Sequence, residues 1–347
     1  MNKISIIILN WNGEELLKKF LPSILTHTPS YNCEIVVADN HSSDNSVVML
    51  KESFPSVKLI LFDKNYGFAE GYNRAIQRVN ATYVVLLNSD VEVTENWLQP
   101  MINYLDTHIH TAAAQPKILS YANKQMFEYA GAAGGYIDRY AYPFCRGRIL
   151  SVLEDDNGQY DNVEHVFWAT GACLCIRRTD FVDAGGLDND FFAHMEEIDL
   201  CWRLQSRGKN IVVIPESVVY HVGGASLDIE NPRKTYLNFR NNLLMVYKNA
   251  TTESLIETVF FRFFLDTAAT LHFLVKGKYR HSKSVVDAYV DFIEMLPSFK
   301  HKRKENIDKT IQKVIPQQYN RSVILEFYLK RKRTFSSFFP KVSKESM

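Results

Sequence analysis

The sequence predicts an α/β protein: a Rossmann-like, mainly parallel sheet covered by helices on both faces, followed by a helical C-terminal extension. Three observations carry this reading. The first ninety residues alternate short apolar runs with helix-periodic stretches, the pattern of a doubly covered sheet. The runs are continuous in Val, Ile and Leu rather than alternating with polar residues, as strands buried on both faces require. Beyond about residue 230, strand-like runs give way to long helical periodicity.

Taken in order, "ISIIIL" (4–9) is a fully buried strand, and "GEELLKKFLPSIL" places Leu16, Leu17, Phe20, Leu21 and Ile24 on a helical period. "EIVVAD" (34–39) is a second strand, and "NHSSDNS" supplies N-cap candidates for the helix "VVMLKESF". "VKLILF" (57–62), the helix "AEGYNRAIQRV" and the strand "YVVLL" (83–87) complete this half. In such sheets ligands sit outside the carboxyl ends of the strands. Three of those ends are polar here: "NWN", "ADNHSSD" and "NSD". Asn88-Ser89-Asp90 therefore reads in two ways, as a turn that hydrogen-bonds its own backbone or as a site that binds a ligand.

Residues 98–230 form a second half with weaker signals. "LQPMINYLDT" is helical, "AAAQPKIL" is a strand entry, and "YAGAAGGYIDRYAYPFCRGR" reads as a Gly- and Tyr-rich loop over the site. "HVFWATGACLCIRR" is a strand pair. "TDFVDAGGLDNDFF" is a short helix capped by Gly185 or Gly186. "EEIDLCWRLQSRG" is an amphipathic helix ending at Gly208, and "NIVVIP" and "SVVYHVGGAS" return to strand. Residues 231–297 form a helical extension. Within it, "SLIETVFFRFFLDTAATLHFLVKGKYR" carries Thr258, Arg262 and Asp266 as a narrow polar stripe on an otherwise apolar helix. That stripe suits a helix packed on the main domain, or one lying in a membrane interface with Lys276, Lys278 and Arg280 beside it.

Composition narrows the function classes. The chain has 347 residues, 46% hydrophobic and 23% charged, as ordinary folded proteins do. The net charge of +1 conceals an asymmetry: residues 298–347, read as a basic helical tail, hold 13 Lys/Arg against 4 Asp/Glu. Such a tail suits an anionic partner, a lipid surface or nucleic acid. The five cysteines (33, 145, 173, 175, 201) lack zinc spacing, and their odd number argues against a disulfide framework. They read as reduced core residues of a cytosolic protein. The N-terminus lacks a cleavable-signal pattern, and an uncharged apolar run long enough to span a bilayer is not found.

The segments "SIIILNWNG", "EIVVADNHSSDNS", "NYGFAEGYNRAI", "YVVLLNSDVEV", "TGACLCIRR", "GGLDNDFFAHMEEIDLCWRLQSRG" and "VVYHVGGAS" occur in that order over residues 4–245. Together they resemble the family 2 glycosyltransferases, inverting enzymes of the GT-A fold, and within them the bacterial rhamnosyltransferase-like branch. The resemblance implies transfer of a sugar from a nucleotide-diphosphate donor (dTDP-rhamnose or a UDP-sugar) to a hydroxyl of a lipid-linked or cell-surface glycan. It implies a GT-A catalytic domain over 1–230, with 1–97 as the nucleotide-binding half and 98–230 as the acceptor half. The setting it implies is the cytoplasmic face of a membrane, with peripheral contact to anionic lipid and no nucleic acid partner.

Residue by residue, the resemblance assigns the pyrimidine contact to Asp39, with Asn10, Trp11 and Asn12 along the base. Asn65, Gly67, Arg74, Asn88 and Ser89 follow as nucleotide-side residues. Asp90 fills the last position of the family's Asp-x-Asp motif and would hold Mn²⁺ or Mg²⁺ against the diphosphate. Asn88 stands where the motif names Asp and supplies no charge, and His221 is implied as a second metal ligand. The general base falls on Glu197, a Glu where Asp is usual, with Asp199 and Glu196 as alternatives. The same three acids would also complement a helix N-terminus. Arg74 and Arg240 read as diphosphate or acceptor contacts, and Gly67 and Gly171 as points of close backbone approach. Two rivals stand beside this reading. A sugar nucleotidyltransferase needs a glycine-rich basic loop after the first strand, whereas "NWNGEELLKKF" has one Gly and keeps its lysines in a helix. A catalytically inactive scaffold or glycan-binding subunit of the same fold would accommodate Asn88 and Glu197.

Overall fold

The isoleucine run at the N-terminus forms β1 (Ile4–Asn10), an inner strand of the sheet, in the computed structural model, which describes residues 3–29, 31–223 and 231–339. Around it the chain alternates as the sequence predicts: α1 (Glu14–His27), β2 (Cys33–Asp39), α2 (Ser46–Ser53), β3 (Lys58–Leu61), α3 (Gly67–Gln77) and β4 (Tyr83–Leu87). The pairs β1–β2, β1–β4 and β2–β3 are all parallel. Successive residues point to opposite faces, and both faces are apolar. Ile6, Ile8, Val37, Val85 and Leu87 pack under α1, α2 and α4 (Gln99–Thr107) with Leu17, Leu21, Leu50 and Met101. Ile7, Val36, Val84 and Leu86 pack under α3 with Ala69, Tyr72 and Ile76. Each such fully buried aliphatic side chain contributes about 1.5–3 kcal/mol.

Past β4 the parallel rule lapses. The short β5 (Val91–Val93) is followed by α4 and then β6 (Thr111–Ser120). The sheet is completed by β11 (Glu164–His165), β12 (Cys173–Arg177) and β13 (Asn210–His221), in the order β11-β13-β6-β12-β4-β1-β2-β3, with β5 on β13. β12 runs antiparallel to both β4 and β6, so the sheet is parallel in its first half and mixed in its second. "NIVVIP" and "SVVYH" are one strand, β13, whose register against β6 slips between Ile214 and Val218. The end of "VVYHVGGAS", residues 224–226, lies outside the described residues. Cys145, Cys173, Cys175 and Cys201 are buried and Cys33 is half-buried.

Two expectations are corrected. The Gly/Tyr-rich segment after residue 128 is no open loop but most of a second sheet: β7 (Gly135–Asp138), β8 (Pro143–Cys145), β9 (Arg148–Ile149) and β10 (Val152–Leu153), in the order β10-β9-β8-β7-β14. Gly135 is required there, since a Cβ on it would lie 2.0 Å from the Trp168 ring. The basic tail is likewise no separate helical arm. After α5 (Arg178–Asp183), α6 (Glu196–Ser206), α7 (Pro232–Asn249) and α8 (Thr252–Val275), α9 (Tyr279–Asp308) runs through the 297/298 boundary. The chain then returns to the second sheet as β14 (Gln318–Tyr319), α10 (Val323–Leu329) and α11 (Phe335–Phe338). Several tail cations are engaged internally. Lys302 pairs with Asp188 and Asp190, and Lys330 and Lys332 pair with Glu326. Residues 340–347 lie outside the described residues.

Candidate active site

The carboxyl ends of β1, β2 and β4 lie side by side, with Asn10 opposite Asp39 and Ile8 opposite Leu87. Asn10 is fully buried and donates from Nδ2 to Asp39 Oδ1 at 2.9 Å and to Ser42 Oγ at 3.1 Å. Asp39 also accepts from the Ser42 N–H at 2.9 Å and the Ser42 hydroxyl at 2.6 Å. It folds the 39–42 turn rather than capping α2, whose start is served by Asp44. A carboxylate offers about four acceptor positions, so three internal donors leave room for a ligand N–H. Trp11 is 58% exposed at the mouth, an aromatic face free of the core.

Other nucleotide-side candidates are spent on structure. Asn12 stands at φ +52° and accepts from the Ser43 N–H at 2.7 Å, tying the first two strand-end loops together. Asn65 Oδ1 accepts from the Gly67 N–H and from Asn40 Nδ2. The buried Asn40, which drew no attention in the sequence, also accepts from the Tyr66 N–H and so fastens the whole 65–67 turn. Gly67 (φ +76°) lies against Phe192, where a Cβ would come within 2.6 Å of the ring, and Gly171 faces Phe68. Arg74 is not gathered into the cleft: it pairs with Glu70 at 2.6 Å and stacks over Tyr66.

The turn at 88–90 is both a turn and a site. Ser89 and Asp90 link β4 to β5, and β5 pairs antiparallel with β13 so that Val91 faces His221. This pairing brings together side chains 131 residues apart: Asp90 Oδ1 lies 3.1 Å from His221 Nε2, with both residues about 5% exposed. Asn88 Nδ2 is 3.4 Å from the same nitrogen. Behind the imidazole stands Glu128, buried and absent from the sequence-based assignment, with Oε2 3.3 Å from His221 Nδ1 but off the line of a good hydrogen bond. Gly223 (φ +73°) leaves it room, since a Cβ there would meet Glu128 Oε1 at 2.6 Å. Burial alone would push the His221 imidazole down, but the Asp90 and Glu128 carboxylates outweigh it and hold it up at about 10.

These residues fit a divalent cation. Asp90 supplies a hard anionic oxygen and His221 Nε2 a nitrogen, while a carboxylate behind Nδ1 is the usual orientation device for a metal-ligating histidine. The two carboxylates that favour an imidazolium would equally favour a cation beside a neutral ring. Among the described residues no group of three or more His, Cys, Asp or Glu side chains is assembled to hold an ion unaided. Two protein ligands leave positions for the diphosphate oxygens and water that Mg²⁺ or Mn²⁺ retains.

The acidic cluster lies at the start of α6. Asp199 is corrected here: it has no exposed surface, and its oxygens accept from Arg203 Nε (2.9 Å), Lys248 Nζ (2.8 Å) and Asn249 Nδ2 (2.7 Å), so it binds α6 to α7 and cannot reach an acceptor. Glu196 is 3% exposed, and burial together with Glu197 drives its carboxyl well above the carboxylate range. Glu197 is only half-buried, has one oxygen without a hydrogen-bond partner among the described residues, and takes a backbone N–H from Gly171. Burial raises its carboxyl, with those backbone donors in opposition. Gly171 adjoins Ala172, whose carbonyl accepts the Asn88 N–H at 3.0 Å, so the start of α6 approaches the strand end that leads to Asp90.

The loop entering α6 holds three left-handed residues, Phe192 (φ +63°), His194 (φ +70°) and Met195 (φ +73°). Such conformations cost of order 1–3 kcal/mol each and need support. Asn241 on α7 supplies it, donating from Nδ2 to the carbonyls of Phe191, Ala193 and His194 at 2.8–2.9 Å. Arg240 donates to the carbonyls of Asp190 and Phe191. It therefore braces this loop, where the sequence suggested a diphosphate or acceptor contact.

Residues 5–134 match the sequence profile described as glycosyl transferase family 2. That segment carries a family 2 glycosyltransferase domain. It is 27% identical over 253 residues to the low-salt glycan biosynthesis hexosyltransferase Agl10 of Haloferax volcanii, covering 70% of this chain and 75% of that one. It is 23% identical over 246 residues to the N-acetylglucosaminyl-diphospho-decaprenol L-rhamnosyltransferase of Mycobacterium tuberculosis, covering 63% and 75%. Among solved structures it superposes on S. aureus TarS 1–349 with a TM-score of 0.56 at 16% identity, covering 95% and 92% of the two chains. It superposes on the mannosyltransferase PcManGT of Pyrobaculum calidifontis, solved with GDP-Man and Mn²⁺, with a TM-score of 0.51 at 13% identity, covering 88% and 84%. The fold of this family 2 domain is GT-A, and in this chain it continues into the C-terminal helices.

Proposed function

We propose that this glycosyltransferase is a metal-dependent inverting enzyme that moves a sugar from dTDP-rhamnose or a UDP-sugar to a hydroxyl of a lipid-linked or cell-surface glycan. The observation that carries the reading is the Asp90–His221 pair, backed by Glu128, and an unpaired Glu197 oxygen at the start of α6 supports it. Asp39 receives the base N–H and Trp11 offers a stacking face. Asp90 and His221 hold the cation which, when bound, neutralises charge developing on the departing diphosphate. Glu197 takes the proton of the acceptor hydroxyl. The freed oxygen attacks the anomeric carbon, and the bond to the diphosphate breaks in the same displacement with inversion. The name of the mycobacterial relative supports a rhamnosyl donor and a polyprenyl-linked acceptor.

The test is to incubate the purified protein with dTDP-rhamnose and UDP-sugars, with and without Mn²⁺, and an acceptor lipid. Release of nucleoside diphosphate supports transfer. Release of pyrophosphate would mark a nucleotidyltransferase, and donor binding without turnover would mark an inactive scaffold. In the same assay, donor plus Mn²⁺ raises the melting temperature by mass action, and Asp90→Ala removes the Mn²⁺-dependent part of that rise. An undiminished rise would leave Asp90 as a turn residue alone.

A further inference from the structure

Helix α8 is built inside out. Its polar stripe faces the protein: Thr258, Arg262 and Asp266 are each less than 5% exposed. Arg262 bonds Asp266 at 3.0 Å and also reaches Asn242, while Asp266 accepts from Tyr142 and Tyr289 at 2.5 and 2.7 Å. Its apolar residues face outward: Ile256 is 69% exposed, Phe260 58%, Phe263 57%, Phe264 55% and Val275 86%. A surface helix of a soluble domain has the opposite arrangement, and exposed apolar patches of this size mark interaction surfaces.

We propose that α8 seats the enzyme on an anionic lipid bilayer, lying in the interface with its phenylalanines among the acyl chains. Three observations select lipid over a protein partner. The exposed apolar residues run the length of the helix from Ile256 to Val275 on the side opposite the buried stripe, a long, phenylalanine-rich face that a fluid apolar phase covers whole. The helix ends at Gly277 in exposed Lys276, Lys278 and Arg280, a cationic collar at headgroup level. Val286, Val290 and Ile293 on the neighbouring α9, antiparallel to α8 across the Gly277 turn, extend the exposed apolar surface. By length and composition α8 is also apolar enough to cross a membrane. Crossing would carry the Arg262–Asp266 pair away from Asn242, Tyr142 and Tyr289 into hydrocarbon, a costly transfer. The helix therefore lies along the surface. This inference stands independently of the chemistry assigned to Asp90 and Glu197.

The test is flotation of the full chain with phosphatidylcholine vesicles, with and without about one third phosphatidylglycerol. The protein floats with the anionic vesicles. Phe260→Ser combined with Phe264→Ser lowers the bound fraction about tenfold or more while leaving the circular dichroism, melting temperature and donor binding unchanged, because both side chains are exposed. Lys276→Gln with Arg280→Gln lowers the preference for anionic vesicles several-fold, and added salt does the same. Failure to float with either vesicle overturns the proposal, as does flotation indifferent to the phenylalanine changes. A wild-type dimer that the same changes split into monomers, without flotation, assigns the face to a second copy of the chain.

Discussion

At the scale of single residues, the site divides into groups that touch ligand and groups that hold them. Glu197 keeps an unpaired oxygen where Asp199 is saturated by Arg203, Lys248 and Asn249, so Glu197→Gln lowers transfer about 10²–10⁴-fold, the usual worth of a general base. The donor-induced melting shift is retained. Because burial raises the Glu197 carboxyl, the acid limb of kcat/KM lies above the ordinary carboxylate range. A variant with full activity would move the base elsewhere. His194, three residues before it, titrates differently. Burial, with repulsion from Lys234, pushes its imidazole down to about 4, and its Nε2 has no hydrogen-bond partner among the described residues. Between about pH 6.5 and 4 the unfolded chain therefore binds a proton that the folded chain refuses. Stability falls with falling pH there by up to about 1.4 kcal/mol per unit. His194→Gln flattens the melting temperature against pH across that window; an unchanged slope would place the titration on another group. The sequence offered Asp90, His221 and Glu197 because they stand in ordered segments with recognisable spacing. Glu128, Asn40 and Asn241 carry no such local signal. Their roles arise from contacts across 93, 25 and about 50 positions, which only the fold supplies.

At the scale of elements, α7 is a brace for the loop that enters α6. The three carbonyls that Asn241 holds would lose their donors in Asn241→Ala, which costs about 1–3 kcal/mol for buried polar groups left unpaired. The left-handed run 192–195 would relax, and Glu197 with it. We expect kcat to fall at least tenfold, beyond about 1.4 kcal/mol of barrier, with KM for the donor little changed. Equal losses in kcat and donor affinity would argue that the loop shapes the nucleotide pocket instead. The early elements were legible because β1 to β4 are continuous aliphatic runs that only a doubly covered sheet can bury, and the helices between them keep their apolar period. The second sheet was not legible, since strands of two to four residues have no period to read. They exist because Gly135 lets Trp168 close on the backbone and because β14, some 180 residues later, pairs with β7. The same distance hid the second half's strand directions: β12 enters between β4 and β6, a placement set by the whole sheet rather than by its own residues.

At the scale of the whole molecule, the C-terminal segment closes the structure. The chain leaves α9, adds β14 to the second sheet and lays Phe335 and Phe338 against Tyr136, Phe144, Tyr160 and Tyr319. Asp138 ties the same corner, accepting from the backbone N–H groups of Tyr140, Tyr142 and Val323 at 2.8–2.9 Å. The second sheet and the tail thus form one apolar core, and the division at residues 230 and 297 that composition suggested is not a division of the fold. Phe338 is 4% exposed, so Phe338→Ala removes a buried ring at a cost of about 3–5 kcal/mol if the site stays assembled. The terminus can also open locally at lower cost, which sets the smaller loss to be seen. Thermal melting and limited proteolysis separate the two outcomes. If the tail belongs to the cooperative unit, Phe338→Ala lowers the melting temperature by roughly 5 °C or more and the whole chain becomes sensitive together. If α10 and α11 merely lie on the surface, the melting temperature stays within about a degree and protease trims the chain beyond α9 while residues 3–308 persist. The number of aromatic rings converging from segments nearly 200 residues apart favours the first, with the tail acting as the clasp that holds the second sheet together.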